Sequence, residues 1–287
     1  MPILFALLLL FCTSVSAEDT GNLVPRSLAM GVTYTSIDSA QLSDSPYKLS
    51  INQTKVKLPI GKYQLFGNTF VPQLSYEETQ FSVPNPNIDN RISLYSLNIP
   101  LMFISKSNIN WTRILRVTPS WHTDLKAKDE ESYSLMGLLL WRYHNTDSPH
   151  SYTLGFGVNR LFGEYKPIPM ISYGYQTSPH TRINVGFPIT KIEHRLHQDW
   201  SVFSAFGPMG GNWRYDARNT EQRYNLSYQS WVATLGVRRH LAGDFWLTFQ
   251  WGQSFERKFD VNNNTIDSEE VSIDDASVYL ISIGLHP

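Results

Sequence analysis

Residues 245–255 read Phe-Trp-Leu-Thr-Phe-Gln-Trp-Gly-Gln-Ser-Phe. Phe245, Leu247, Phe249, Trp251 and Phe255 alternate with Thr248, Gln250, Gly252 and Ser254. A period of two marks a strand with one large apolar face and one small or polar face. The same pattern recurs in both directions from this stretch. Val32 and Tyr34 alternate with Thr33 and Thr35, and Tyr95 to Phe103 alternate with Ser96, Asn98 and Pro100. Trp111, Leu115, Val117 and Trp121 face away from Arg116, Thr118, Ser120 and His122. Tyr152 to Val158 and Ile183 to Phe187 repeat it with glycine, hydroxyl or amide side chains between, and Tyr279, Ile281, Ile283 and Leu285 repeat it opposite Ser282 and Gly284. Polar turns separate these runs, and the chain reads as all-β.

The large face must meet either a second sheet or lipid. Charged residues make up 17% of the chain, against roughly 25% in soluble domains. Aromatic residues make up 13%, and Tyr34, Trp111, Trp121, Trp141, Tyr152, Tyr175 and Tyr279 sit near strand ends, as in the interfacial girdles of a membrane barrel. Formal net charge is −1, which gives no basic field for nucleic acid.

The N-terminus sets the compartment. Ile3 to Phe11 read ILFALLLLF, and Val15-Ser16-Ala17 supplies small residues for signal peptidase. We expect residues 1–17 to be a signal peptide cut after Ala17 and 18–287 to form one outer-membrane barrel domain. Cys12 is the only cysteine, so the mature chain has neither a disulfide nor a thiolate metal site.

Link lengths predict the strand count. Long or polar links are expected at Ser36–Pro46, Glu77–Asn90, Asp124–Ser132, Arg160–Lys166, Gly207–Arg223 and Lys258–Ser272. Tight turns are expected at Leu58–Lys62, Ser105–Asn110, His144–Pro149, Gln176–Thr181, His197–Asp199 and His240–Asp244. Short periplasmic turns alternating with longer outside loops are the barrel pattern. The alternation breaks only at Gly186–Thr190, a tight outside turn. Fourteen antiparallel strands follow, with twelve the alternative if Ile183–Leu196 were one strand. The barrel must close, because an open edge in hydrocarbon leaves backbone groups unpaired at several kcal/mol each. Asn68, Arg113 and His194 fall on faces assigned to lipid, Pro72 and Pro119 lie inside strand patterns, and Met136 to Leu140 do not alternate cleanly.

The stretch Gly155–Tyr215 reads GFGVNRLFGEYKPIPMISYGY, then RINVGFP, then DWSVFSAFGPMGGNWRY. This resembles a bacterial family of predicted outer-membrane β-barrel proteins of unknown function. The resemblance implies a fold and a location and supplies no catalytic residue. Where such barrels usually end in an aromatic residue, this chain ends Leu285-His286-Pro287.

The candidate functional residues are the inward charges: Arg116, His122, Arg182, Lys191, Glu193, Arg195 and Arg238, with Glu256 as a further candidate. Charges lining a pore set ion preference, and the same charges can plug a small barrel. The functional expectation is a passive pore or binding barrel for small or hydrophobic solutes. The alternatives are a plugged structural or surface-interaction barrel and, behind it, a lipid-modifying enzyme using His150-Ser151, His122 with Ser120, or Glu193-His194. No cofactor or metal is expected. Asp260-Val-Asn262-Asn263-Asn264 begins like a calcium loop but lacks the central glycine, with Val271 at the twelfth position. It reads as an acidic outside loop. Gly207-Pro-Met-Gly210-Gly211 reads as an outside turn. Expected partners are outer-membrane lipids, lipopolysaccharide and the barrel-assembly machinery.

Overall fold

The computed structural model describes residues 30–43, 45–83, 90–162, 164–217, 222–263 and 266–285. The signal-peptide expectation and the last two residues lie outside them. The strands run β1 (Gly31–Gln41), β2 (Lys48–Pro59), β3 (Tyr63–Leu65), β4 (Asn68–Val83), β5 (Asn90–Asn98) and β6 (Leu101–Lys106). They continue with β7 (Trp111–Thr123), β8 (Tyr133–His144), β9 (His150–Phe162), β10 (Glu164–Ser178), β11 (Thr181–Phe187) and β12 (Thr190–His197). The chain finishes with β13 (Trp200–Asp216), β14 (Arg223–Ala242), β15 (Phe245–Asn263), β16 (Ile266–Ile273) and β17 (Ala276–Leu285).

Three wall strands are interrupted. β2 and β3 both pair with β4, β5 and β6 both pair with β4 and β7, and β16 and β17 both pair with β15. Antiparallel pairing of β1 with β17, from Gly31↔Gly284 to Ile37↔Val278, closes the ring. The hydrogen bonds therefore ring through 14 strands.

The strand prolines fit these interruptions. The carbonyl of Pro72 accepts from Ile60 N, so its nitrogen points at the break between β2 and β3. The carbonyl of Pro119 accepts from Ile99 N, so its nitrogen points at the break between β5 and β6. A residue without an N–H suits a place where the neighbouring strand offers no regular partner.

The outward face is apolar over a limited height. On β7 and β8, Trp111 packs on Tyr143 and Trp121 stacks on Tyr133. At about 3.4 Å per residue and a barrel tilt near 40°, the step from Trp111 to Trp121 rises roughly 25 Å, the height of the apolar band of a membrane barrel. Above the upper girdle the polarity inverts. Ile37, Leu49, Ile51, Phe81, Leu94, Leu226, Tyr228, Ile273 and Val278 turn inward and are buried, while Asn52, Gln80, Ser93 and Lys258 take the outward positions by register. The outer end is thus a β-structure standing in water with a core of its own.

This inversion corrects the expected links. The strand ends at Gln41, Val83, Phe162, Asp216 and Asn263 run through most of the segments assigned to long links. Gly207–Gly211 lies inside β13. Asp260 pairs with Glu270 across β15 and β16, a strand position and not a loop. Leu58–Lys62 is the interruption between β2 and β3, and the turn sits at Phe66 and Gly67, whose φ angles are 52° and 73°. Glu256, expected inward, occupies a positive-φ position (48°) where the β14–β15 register shifts, and it is exposed. Asn68 caps its own turn through Phe66 O at 3.1 Å, His194 bonds Thr181 Oγ1 at 2.7 Å, and Arg113 is exposed near the Trp111 end. Met136 to Leu140 show no clean alternation because both faces of β8 are apolar there: Leu140 turns inward and packs with Val71, Met102 and Ile114.

Candidate functional site

Below the outer core, the inward faces of β11, β12, β13 and β14 bring several of the expected charges together. Glu193 accepts from Lys191 Nζ and from an Arg238 guanidinium nitrogen, each at 2.9 Å. Arg182 stands opposite Glu193 in the β11–β12 register. Phe203 lies between the two cations, 4.8 Å from Lys191 Nζ and 5.3 Å from the Arg238 guanidinium carbon. A cation over a ring face gains from the ring quadrupole. Gly236 makes room for this ring, since a Cβ there would lie 2.4 Å from it.

Arg116 and His122 are elsewhere, on β7. Arg116 Nε donates to Thr118 Oγ1 at 3.2 Å. His122 Nδ1 lies 2.8 Å from Ser96 Oγ, and Trp213 Nε1 donates to the same oxygen at 2.9 Å. Arg195 is exposed near the lower rim, opposite Ser201. The Ser–His pairs considered for catalysis do not form as expected. His122 bonds Ser96 and not Ser120, His150 bonds the Tyr173 hydroxyl at 2.7 Å, and Glu193 and His194 point to opposite faces.

Sequence reasoning missed several inward residues. Lys55 and Glu77 form an inward ion pair at 2.7 Å, with Gln53 donating to the same carboxylate at 3.0 Å. The alternation Lys55-Val56-Lys57 was the available signal. Lys57, Arg142 and Phe203 also occupy inward positions by register. The inward basic side chains thus include Lys55, Lys57, Arg116, Arg142, Arg182, Lys191 and Arg238, against Glu77 and Glu193.

The outer end is closed across the ring. Phe81 of β4 meets Trp213 of β13, Tyr228 of β14 and Phe259 of β15 with ring centroids 5.7, 6.0 and 5.3 Å apart. None of those strands neighbours β4 in the wall. β13 crosses to β7, where Arg214 pairs with Thr123 and Asp124 N donates to Arg214 O at 3.1 Å. A charged latch fixes this crossing. Arg214 reaches Asp129 at 2.9 Å and Glu131 at 2.8 Å, and Arg223 reaches Asp129 at 3.3 Å. Partial burial alone would raise the Asp129 carboxyl. The hydrogen bond and charge of Arg214, with hydrogen bonds from Ser132 and Arg223, outweigh it and hold Asp129 below the usual carboxylate value.

A family model described as Domain of unknown function (DUF6268) matches residues 20–276. Among solved structures, the COG4313 outer membrane channel from Pseudomonas putida F1 is similar at 14% identity, over 95% of this chain and 99% of that one, with a TM-score of 0.51. The TodX monoaromatic hydrocarbon channel, as a deltaS2 mutant, aligns at 10% identity over 90% and 89% of the two chains with a TM-score of 0.46. A Pseudomonas aeruginosa FadL homologue aligns at 10% identity over 90% and 89% with a TM-score of 0.38. No curated protein matches the sequence. The first structure establishes a shared outer-membrane barrel fold.

Proposed function

This chain belongs to the DUF6268 family, and we propose that it acts in the outer membrane as a passive barrel for small hydrophobic solutes, without an open axial water channel. The observation that carries the reading is the contact of opposite walls at Phe81 and Trp213, which seals the outer mouth with an apolar core. An aqueous pore needs a wet path along its axis, and buried side chains fill that position here. The inward glycines Gly155, Gly157, Gly174 and Gly186 leave the β9–β11 side of the interior lightly filled. The solved channel of the same fold gives the reading a precedent.

The inward charges Arg116, His122, Arg182, Lys191, Glu193, Arg195 and Arg238 are, in this proposal, the polar lining of the transmembrane interior. Their basic excess favours anions over cations. Residues 1–17 direct export and are removed on translocation, so N-terminal sequencing of the membrane-extracted protein should begin at Glu18. Lipids and lipopolysaccharide are the surroundings of the girdles.

The same sealed mouth also suits a plugged barrel with no transport role. Entry of the apolar fluorophore N-phenyl-1-naphthylamine into a Gram-negative host with intact lipopolysaccharide separates the two. The conduit reading predicts faster entry in cells carrying the barrel than in cells without it. Equal rates would favour the plug.

A further inference from the structure

Two inward cations stand apart from the ion pairs of the interior. Lys55 is engaged by Glu77, and Lys191 and Arg238 by Glu193. Lys57 and Arg116 make no such pair among the described residues. Arg116 donates from Nε to Thr118 Oγ1 at 3.2 Å, which leaves its two terminal nitrogens for another acceptor. Both side chains are exposed although their strands turn them inward. The interior therefore holds water-accessible space around them.

The fold brings these two charges together. Lys57 is on β2 and Arg116 on β7, yet they are close enough for their charges to repel. Glu77 also acts on Lys57, but Lys55 and Gln53 already hold its carboxylate. Arg116 lies midway between Trp111 and Trp121 on β7, so the pair stands at mid-membrane height, below the outer core. A third polar group joins them. Ser75 is opposite Lys57 in the β2–β4 register, where paired Cβ atoms are about 5 Å apart. It faces inward, as Glu77 does two positions along the same strand. Ser75 is only 6% exposed, and its hydroxyl has no hydrogen-bond partner. An idle buried hydroxyl is costly. Two like charges and that hydroxyl are all satisfied by one anion. Lysine supplies a compact charge with three donors, arginine a planar fork and serine a single O–H, a set that suits the several oxygens of an oxyanion.

We propose that Lys57, Arg116 and Ser75 form an anion site inside the barrel, one that takes a compact oxyanion of the phosphate class. With the outer mouth closed by Phe81 and Trp213, the anion reaches the site from the periplasmic end, past the exposed Arg195 at the lower rim. The site does not depend on the conduit reading. A plugged barrel can carry it equally well, and either proposal can fail without the other.

The test is calorimetric titration of inorganic phosphate into the detergent-purified barrel in phosphate-free buffer. The wild type is compared with Lys57→Gln, Arg116→Gln and Arg142→Gln, the last removing one inward charge elsewhere in the interior. Heat-dependent gel mobility reports folding, and if one site variant does not fold the other decides. The site predicts saturable binding of one phosphate per barrel. It predicts a loss of at least about tenfold in affinity for Lys57→Gln and for Arg116→Gln, as expected when one charge-assisted hydrogen bond is removed, and near wild-type affinity for Arg142→Gln. Sulfate should compete with phosphate, and chloride at equal ionic strength should not. No saturable binding to the folded wild type would overturn the proposal. An equal loss in all three variants would also overturn it, since a diffuse basic field weakens with any lost charge. Competition by chloride as strong as that by sulfate would overturn an oxyanion site.

Discussion

Trp213 donates its indole N–H to the Ser96 hydroxyl at 2.9 Å, from β13 to β5 across the inside of the ring. The indole is only 1% exposed, and it packs edge-on against Phe81. One residue thus supplies both the apolar seal of the outer mouth and a directional bond that fixes its orientation. Trp213→Phe keeps a ring and loses the donor, and should cost about 1 kcal/mol. Trp213→Ala leaves a cavity and should cost about 3–5 kcal/mol. The temperature at which the folded gel band disappears should fall in that order.

The latch at the outer end should weaken in acid. Asp129 titrates below the usual carboxylate value in the folded protein. Its contribution is therefore complete above the unfolded carboxylate's range and is lost as pH falls through the lowered folded value. Hydrogen exchange in residues 124–132 should quicken over that interval. Asp129→Asn should show fast exchange already at neutral pH and lose most of the pH response.

Two glycines should respond oppositely to the same substitution. Gly236→Ala drives a methyl into the Phe203 ring and should destabilise by about 1–3 kcal/mol. Gly137→Ala meets nothing within 4 Å and should leave the unfolding temperature nearly unchanged.

Glu193 neutralises two cations at once. Glu193→Gln should destabilise by up to about 3 kcal/mol, because removing one partner strands buried charge. Glu193→Gln with Arg238→Gln should recover part of that loss, a non-additivity that a double-mutant cycle measures directly.

The transmembrane strands were legible because lipid imposes a strict outward pattern. Phe245, Leu247, Phe249 and Trp251, and likewise Tyr279, Ile281 and Ile283, are exposed apolar positions in the folded barrel. The strand count followed from the turns, including the tight one at Gly186–Thr190. The outer end was not legible, since its strands leave the membrane and their pattern inverts. On β1 the apolar residues move from Val32 and Tyr34 outside to Ile37 inside, and that slip of phase reads as a loop. Pairs such as Lys55 with Glu77, or Phe203 beneath Gly236, depend on register between strands, which one-strand periodicity does not contain.

The sealed outer mouth is tested most directly by current across a planar bilayer. Reconstituted wild type should give no stable single-channel steps, and Phe81→Ala with Trp213→Ala should produce them, with anions carrying most of the current. Large, steady steps from the wild type, unchanged in the double variant, would contradict a barrel closed by Phe81 and Trp213.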